Sequence, residues 1–156
     1  MKSLDQWLSA YAESHQNPFN QKVHSICVPI ITFCVIGLLW CIPTPDAFAQ
    51  VKYLNWATLF TAFCLVFYAL LSMQVFLLML LQTGVFVGIA ATLEPTGYLL
   101  EISAGLFVVS WVGQFWGHKV EGKKPSFFED LQFLLIGPIW VMKKLSGLPQ
   151  TQSTQS

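Results

Sequence analysis

Apolar residues fill long stretches of this chain, and polar ones gather at their ends. A first apolar run covers 26–42, seventeen residues, close to the lower limit for crossing a bilayer. No charge interrupts 53–93. Those 41 residues are twice a spanning length, so they predict a hairpin turning near Ser72-Met73-Gln74, with arms at about 54–72 and 74–93. A fourth run covers about 97–117. Backbone groups in hydrocarbon must be satisfied internally, which makes helices the expected elements; barrel strands would alternate in polarity instead. The apolar part of a later segment, Phe133 to Met142, is too short to span and holds Pro138, which is expected to break it. Segment 127–142 is therefore expected at the interface, amphipathic or re-entrant, with Trp140 at headgroup level and Lys143 and Lys144 in water. The expected fold is all-α: one polytopic membrane domain over 1–146, with four transmembrane helices, the short C-terminal helix, and a disordered polar tail at 147–156.

Composition agrees. The chain is 54% hydrophobic and 10% charged, with mean hydropathy +0.58, against about 25% charged residues in soluble domains. Net charge is zero, which argues against nucleic acid as a partner, since that binding rests on a basic surface. All eight basic residues are lysines. With four spans, Lys2, Lys22, Lys119, Lys123, Lys124, Lys143 and Lys144 fall on one side and only Lys52 on the other. That asymmetry places both termini in the cytoplasm. The first 25 residues lack the apolar core of a signal peptide. Compact loops and the lack of a retrieval ending favour a bacterial inner membrane over the endoplasmic reticulum.

The four cysteines, Cys27, Cys34, Cys41 and Cys64, include three at seven-residue spacing. On a helix these form a stripe too widely spaced for mutual disulfides, and no CxxC pair is present for zinc; they read as small packing residues. Gly84-Gly88 and Gly113-Gly117 are GxxxG pairs, and both are expected to pack helices within the chain. Glu101 lies about one turn inside the fourth run, at the end away from the histidines, and has no assigned role.

Candidate chemistry lies at the watery helix ends. The chain has three histidines, His15, His24 and His118, and topology brings all of them to one membrane face. Asn17-Pro18 reads as a helix cap followed by a first helical residue, after which Asn20 and His24 fall four apart on one face. His15 lies just before that cap. If the fourth helix continues past Gly117, then Gln114, His118 and Glu121 share a face. Imidazoles with a carboxylate and open positions suit non-haem iron, and zinc takes the same donors. The expected ligands are His15, His24, His118 and Glu121, the last as fourth ligand or as a carboxylate behind the ligands. Asn20 and Gln114 are expected to orient the histidines. No GxSxG, P-loop, GxGxxG or HxxHH motif offers other chemistry. Two classes remain: a metalloenzyme acting on a lipid, and a non-catalytic lipid-binding or assembly protein with a polar cytoplasmic rim. A transporter would want ionisable groups at the midplane, and the charge-free hairpin speaks against it.

These residues resemble the membrane family of 2-hydroxy fatty acid dioxygenases. The resemblance rests on His15, Asn20 and His24 followed by Val28-Pro29, on QFWGHKVEGKKPS (Gln114 to Ser126), and on FLLIGPIWV (Phe133 to Val141). Order and spacing agree across nearly the whole chain, and the central hairpin matches only in being apolar. Gln21-Lys22 stands where family members have a basic residue directly, and Ser126 where they usually have alanine; neither is a proposed ligand. The resemblance implies an Fe(II)- and O2-dependent enzyme that shortens a long-chain 2-hydroxy fatty acid by one carbon. Lys119, Lys123 and Lys124 would then attract the anionic headgroup.

Overall fold

The computed structural model describes residues 3–13, 15–122 and 127–148, with backbone alone at 127–132 and 134. Among the described residues six helices follow in order: α1 Leu4–Glu13, α2 Pro18–Trp40, α3 Trp56–Leu71, α4 Met73–Leu93, α5 Leu99–Glu121 and α6 Phe127–Leu145. Short 3-10 turns lie at Asp46–Gln50 and Glu94–Thr96, and the described residues contain no strand. Among the described residues, three helices are long and apolar enough to cross a membrane: α2, α5, and α4 with the turn that follows it. The second expected crossing, at about 54–72, differs. Helix α3 has 16 residues, about 24 Å at 1.5 Å per residue, shorter than a hydrocarbon core of about 30 Å.

The contacts fall into two compact units, one made of residues up to 29 and from 110 onward, the other Ile30–Val109. The second unit carries the hairpin. Ser72, with extended backbone, separates α3 from α4 where the apolar run was expected to turn. Asn55 caps α3 by a reciprocal box: its side chain accepts from Thr58 N, and the Thr58 hydroxyl accepts from Asn55 N, both at 3.0 Å. Ile36, Ala57, Ala90 and Leu99 form the core, flanked by Phe33 and Phe86. The outer faces are apolar and open: Phe63 is 71% exposed, and Leu70, Leu81 and Val109 exceed 60%. A water-soluble surface does not carry such a continuous apolar skin, so this is a surface for lipid. Glu101 is exposed in the first turn of α5, where the helix dipole favours an acid.

The first unit carries α1, the start of α2, the end of α5, and α6. Helix α1 was not expected. Its signals are legible afterwards: Leu4, Trp7, Leu8 and Tyr11 follow the i, i+3, i+4, i+7 pattern, and Ser3 with Gln6 makes a capping box. Helix α2 begins at Pro18, with the Asn17 side chain accepting from Phe19 N at 2.8 Å, so the polar entrance and the first apolar run are one helix. Helix α6 runs unbroken through Pro138, against the expected break. Trp140 is buried on Tyr11 and His15 rather than standing at headgroup level, because the aromatic cluster behind α1 offers it more contact. Lys143 is buried as well, while Lys144 is exposed and donates to Gln21 Oε1 at 2.9 Å. Residues beyond 148, in the expected tail, lie outside the described set.

The four cysteines are free thiols, as expected of packing residues, and Cys34 is fully buried. The two GxxxG pairs part company. A methyl on Gly113 would lie 2.9 Å from Cys27 Sγ, and one on Gly117 would overlap Asn20 Oδ1, so α2 and α5 touch there because both positions lack a Cβ. A Cβ built on Gly84 or Gly88 would meet nothing within 4 Å among the described residues, so the expected close packing within the chain is not seen at them.

Candidate metal centre

The site lies wholly within the first unit, and it begins with α2. His24 and Asn20 project from one face, one turn apart, and are 4% and 0% exposed. Helix α5 does continue past Gly117, so Gln114 and His118 share its inner face at 6% exposure each. The turn between α1 and α2 supplies His15, 2% exposed, whose backbone N–H donates to Ala12 O at 3.0 Å. Three elements thus deliver one imidazole each. Their ligand nitrogens all lie within 4.8 Å of one another. Two metal–nitrogen bonds of about 2.1 Å end to end reach ~4.2 Å, so a single ion needs only a small inward adjustment.

Three buried imidazoles without an ion would be a poor arrangement. His24 Nε2 is buried with no hydrogen-bond partner among the described residues, and Asn20 Oδ1 and Gln114 Oε1 are in the same condition. Orphaned buried polar atoms are costly, and a lone pair without a donor is what a cation relieves. His15 Nδ1 lies 2.7 Å from the Tyr11 carbonyl, which can only accept; the proton therefore sits on Nδ1 and leaves Nε2 as a donor atom. The donor set is neutral nitrogen, which suits iron, zinc and other first-row ions.

Glu121 stands outside this group. Its Oε1 accepts from Gln16 N at 2.9 Å, and its Oε2 accepts from Asn17 N at 2.9 Å and from Asn20 Nδ2 at 3.1 Å. The carboxylate ties the turn that carries His15 to the end of the helix that carries His118. It also sits at the N-terminus of α2, where a negative charge is favourable. Both oxygens are thus held by N–H groups, those of the Gln16–Asn17 turn and of Asn20. Asn20 links the two arrangements: Nδ2 on Glu121, Oδ1 against Gly117.

The structure adds one residue that the sequence motifs do not include. Tyr11, 3% exposed, stacks on the His15 ring with centroids 4.0 Å apart and planes 9° apart. Its hydroxyl lies 3.1 Å from His24 Nδ1. Helix α6 backs it: Phe133 meets the ring edge-on, and Gly137 leaves room for the phenol oxygen, 3.2 Å from where a Cβ would be. Lys119 is exposed on the outer face of α5, near Phe115 and Trp116, about 100° around the helix from His118. Lys123 and Lys124 lie outside the described residues, as do the side chains of Glu129 and Asp130.

Residues 1–148 match the model of a family described as 2-hydroxy-palmitic acid dioxygenase Mpo1-like. A Saccharomyces cerevisiae protein named 2-hydroxy-palmitic acid dioxygenase MPO1 is 29% identical over 160 residues, covering 94% of this chain and 84% of the yeast protein. No solved structure matches.

Proposed function

Since this chain belongs to the 2-hydroxy-palmitic acid dioxygenase Mpo1-like family, we propose that it is an iron-dependent membrane enzyme of fatty acid α-oxidation. The substrate in this reading is a long-chain 2-hydroxy fatty acid, and the product is the fatty acid one carbon shorter. The observation that carries it is the convergence of His15, His24 and His118, buried, with ligand nitrogens within 4.8 Å. These three residues would hold Fe(II). When bound, iron supplies a docking point for the hydroxyl and carboxylate of the substrate and activates O2. The overall change balances without a further reductant: the 2-hydroxy acid and O2 give the shortened acid, CO2 and water.

The chain's own residues do the rest. Glu121 holds the His15 turn against α5 and is itself held by Asn20, which shares a face of α2 with His24, as Gln114 shares one of α5 with His118. The alkyl tail stays among apolar helices, at about 0.8 kcal/mol per CH2 relative to water. Lys119, with Lys123 and Lys124, raises the local concentration of the anionic headgroup at the rim. In the membrane the lysine asymmetry sets the histidine face toward the cytoplasm, with α3 as the short arm of a four-pass arrangement.

The test is metal analysis combined with O2 consumption on 2-hydroxypalmitate under reducing conditions. Stoichiometric iron, turnover, and loss of both in His118→Ala are expected. Protein that holds no iron and consumes no oxygen would be the non-catalytic lipid-binding alternative.

A further inference from the structure

We infer that the Gln114 side chain receives the 2-hydroxyl of the substrate, and so tells a 2-hydroxy acid from a plain fatty acid. This role rests on the reaction proposed above and adds a specificity residue to it. Gln114 is 6% exposed, and its Oε1 is buried with no hydrogen-bond partner among the described residues. No imidazole N–H reaches that oxygen. Burying a carbonyl oxygen without a donor is destabilising, and a leucine would fill the position without that cost. The other amide of the site differs, because Asn20 Nδ2 is held by Glu121 at 3.1 Å.

The place of Gln114 on α5 decides which donor can reach it. One turn separates it from His118 on the inner face of the helix, a spacing that sets Cβ atoms about 5–6 Å apart. The His118 ring in turn lies 4.9 Å from that of His24 and 5.4 Å from that of His15, centroid to centroid. Glu121 lies on the other side of His118, where it holds the Gln16–Asn17 turn. Gln114 therefore stands on the apolar side of the imidazoles, near the level of Cys27 on α2, which a Cβ on Gly113 would meet at 2.9 Å.

A substrate with its carboxylate at the histidines and its tail among the apolar helices leads its first carbons past this level. The hydroxyl on C2 has one proton to donate to Oε1, and its oxygen lone pairs stay free for the ion. Palmitate has only hydrogens on C2 and would leave Oε1 buried and unpaired. A site built to pair a hydroxyl rejects the analogue that lacks it for that reason.

The experiment uses full-length protein in nanodiscs, loaded with Fe(II) and kept anaerobic so that nothing turns over. Unlabelled 2-hydroxypalmitate and palmitate each compete against radiolabelled 2-hydroxypalmitate, for wild type and for Gln114→Leu. Wild type should prefer the hydroxy acid, and Gln114→Leu should lose about 10- to 100-fold of that preference, the effect of one buried hydrogen bond. Its affinities for Fe(II) and for palmitate should stay at wild-type values. Its metal-free melting temperature should match or exceed wild type, because an unpaired acceptor gives way to an apolar group of similar size. An unchanged preference ratio overturns the inference. So does a fall in Fe(II) affinity with both acids weakened alike, which would make Gln114 a support of His118 instead. Wild-type protein that holds no iron fails the iron-site reading, and the preference ratios of the metal-free proteins then decide the inference by the same criterion.

Discussion

Gly113-Gly117 on α5 and Gly84-Gly88 on α4 are the same motif in two apolar helices, yet they have opposite environments. Gly117 is buried against Asn20 and Val23 of α2, and Gly113 against Cys27; Gly84 and Gly88 are exposed, with nothing within 4 Å. In lipid there is no hydrophobic drive between helices, so close approach depends on small residues and on polar groups that gain from it. At Gly117 such a polar group exists. Asn20 lies in the space a methyl would take and holds Glu121 with its other end, and Glu121 in turn holds the His15 turn. At Gly84 no polar partner waits. The lesson is that a small-residue motif marks permission to approach, and the facing side chain decides whether the permission is used.

Gly117→Ala is the hardest way to break this comparison. The added methyl would overlap Asn20 Oδ1, and Asn20 cannot retreat without releasing Glu121. Overpacking costs about 1–3 kcal/mol, set against roughly 0.5–1 gained by replacing a helical glycine, so a net loss of about 1–2 kcal/mol is expected. Unfolding in mixed micelles measures it, and metal affinity should fall with it. A variant as stable as wild type would show that the contact has no energetic weight.

Glu121→Gln comes next. The amide cannot accept three N–H bonds, and its own N–H2 would face a backbone donor. Hydrogen bonds to a charged group are worth about 1.5–3 kcal/mol when buried, less at this partly exposed position, so ~1 kcal/mol is expected. Iron should remain bound, more weakly. If iron is lost completely while the fold survives, Glu121 is a ligand after all.

Gly84→Ala and Gly88→Ala should have the smallest effect, and the opposite sign. With nothing to collide with, each gains helix propensity of up to about 1 kcal/mol and leaves activity unchanged. Destabilisation in either variant, read by the same micelle assay, would mean that this face is covered in the membrane.

Much of the fold was legible because hydropathy and spacing act locally. The hairpin turn at Ser72, the Asn17-Pro18 helix start and the continuation of α5 to Glu121 needed only neighbouring residues. The three histidines were legible through their placement at helix ends. Helix α1 and Tyr11 escaped because a ten-residue amphipathic pattern is weak next to long apolar runs, and a tyrosine at a watery end reads as an interfacial anchor. Trp140 was misplaced for the same reason: its burial depends on Tyr11 and His15, more than a hundred positions earlier in the chain.

The sequence by itself determined that this is a helical membrane protein with His24 and Asn20 on one helical face and His118 and Gln114 on another, since helical periodicity and the cost of polar groups in hydrocarbon leave little else. Only the tertiary structure decided which atoms meet. It gave the Glu121 carboxylate to the backbone of the His15 turn, put Tyr11 between two histidines, and filled one glycine pair while leaving the other open. Those outcomes are competitions among side chains from different helices for the same few ångströms, and no spacing along a single helix records who wins.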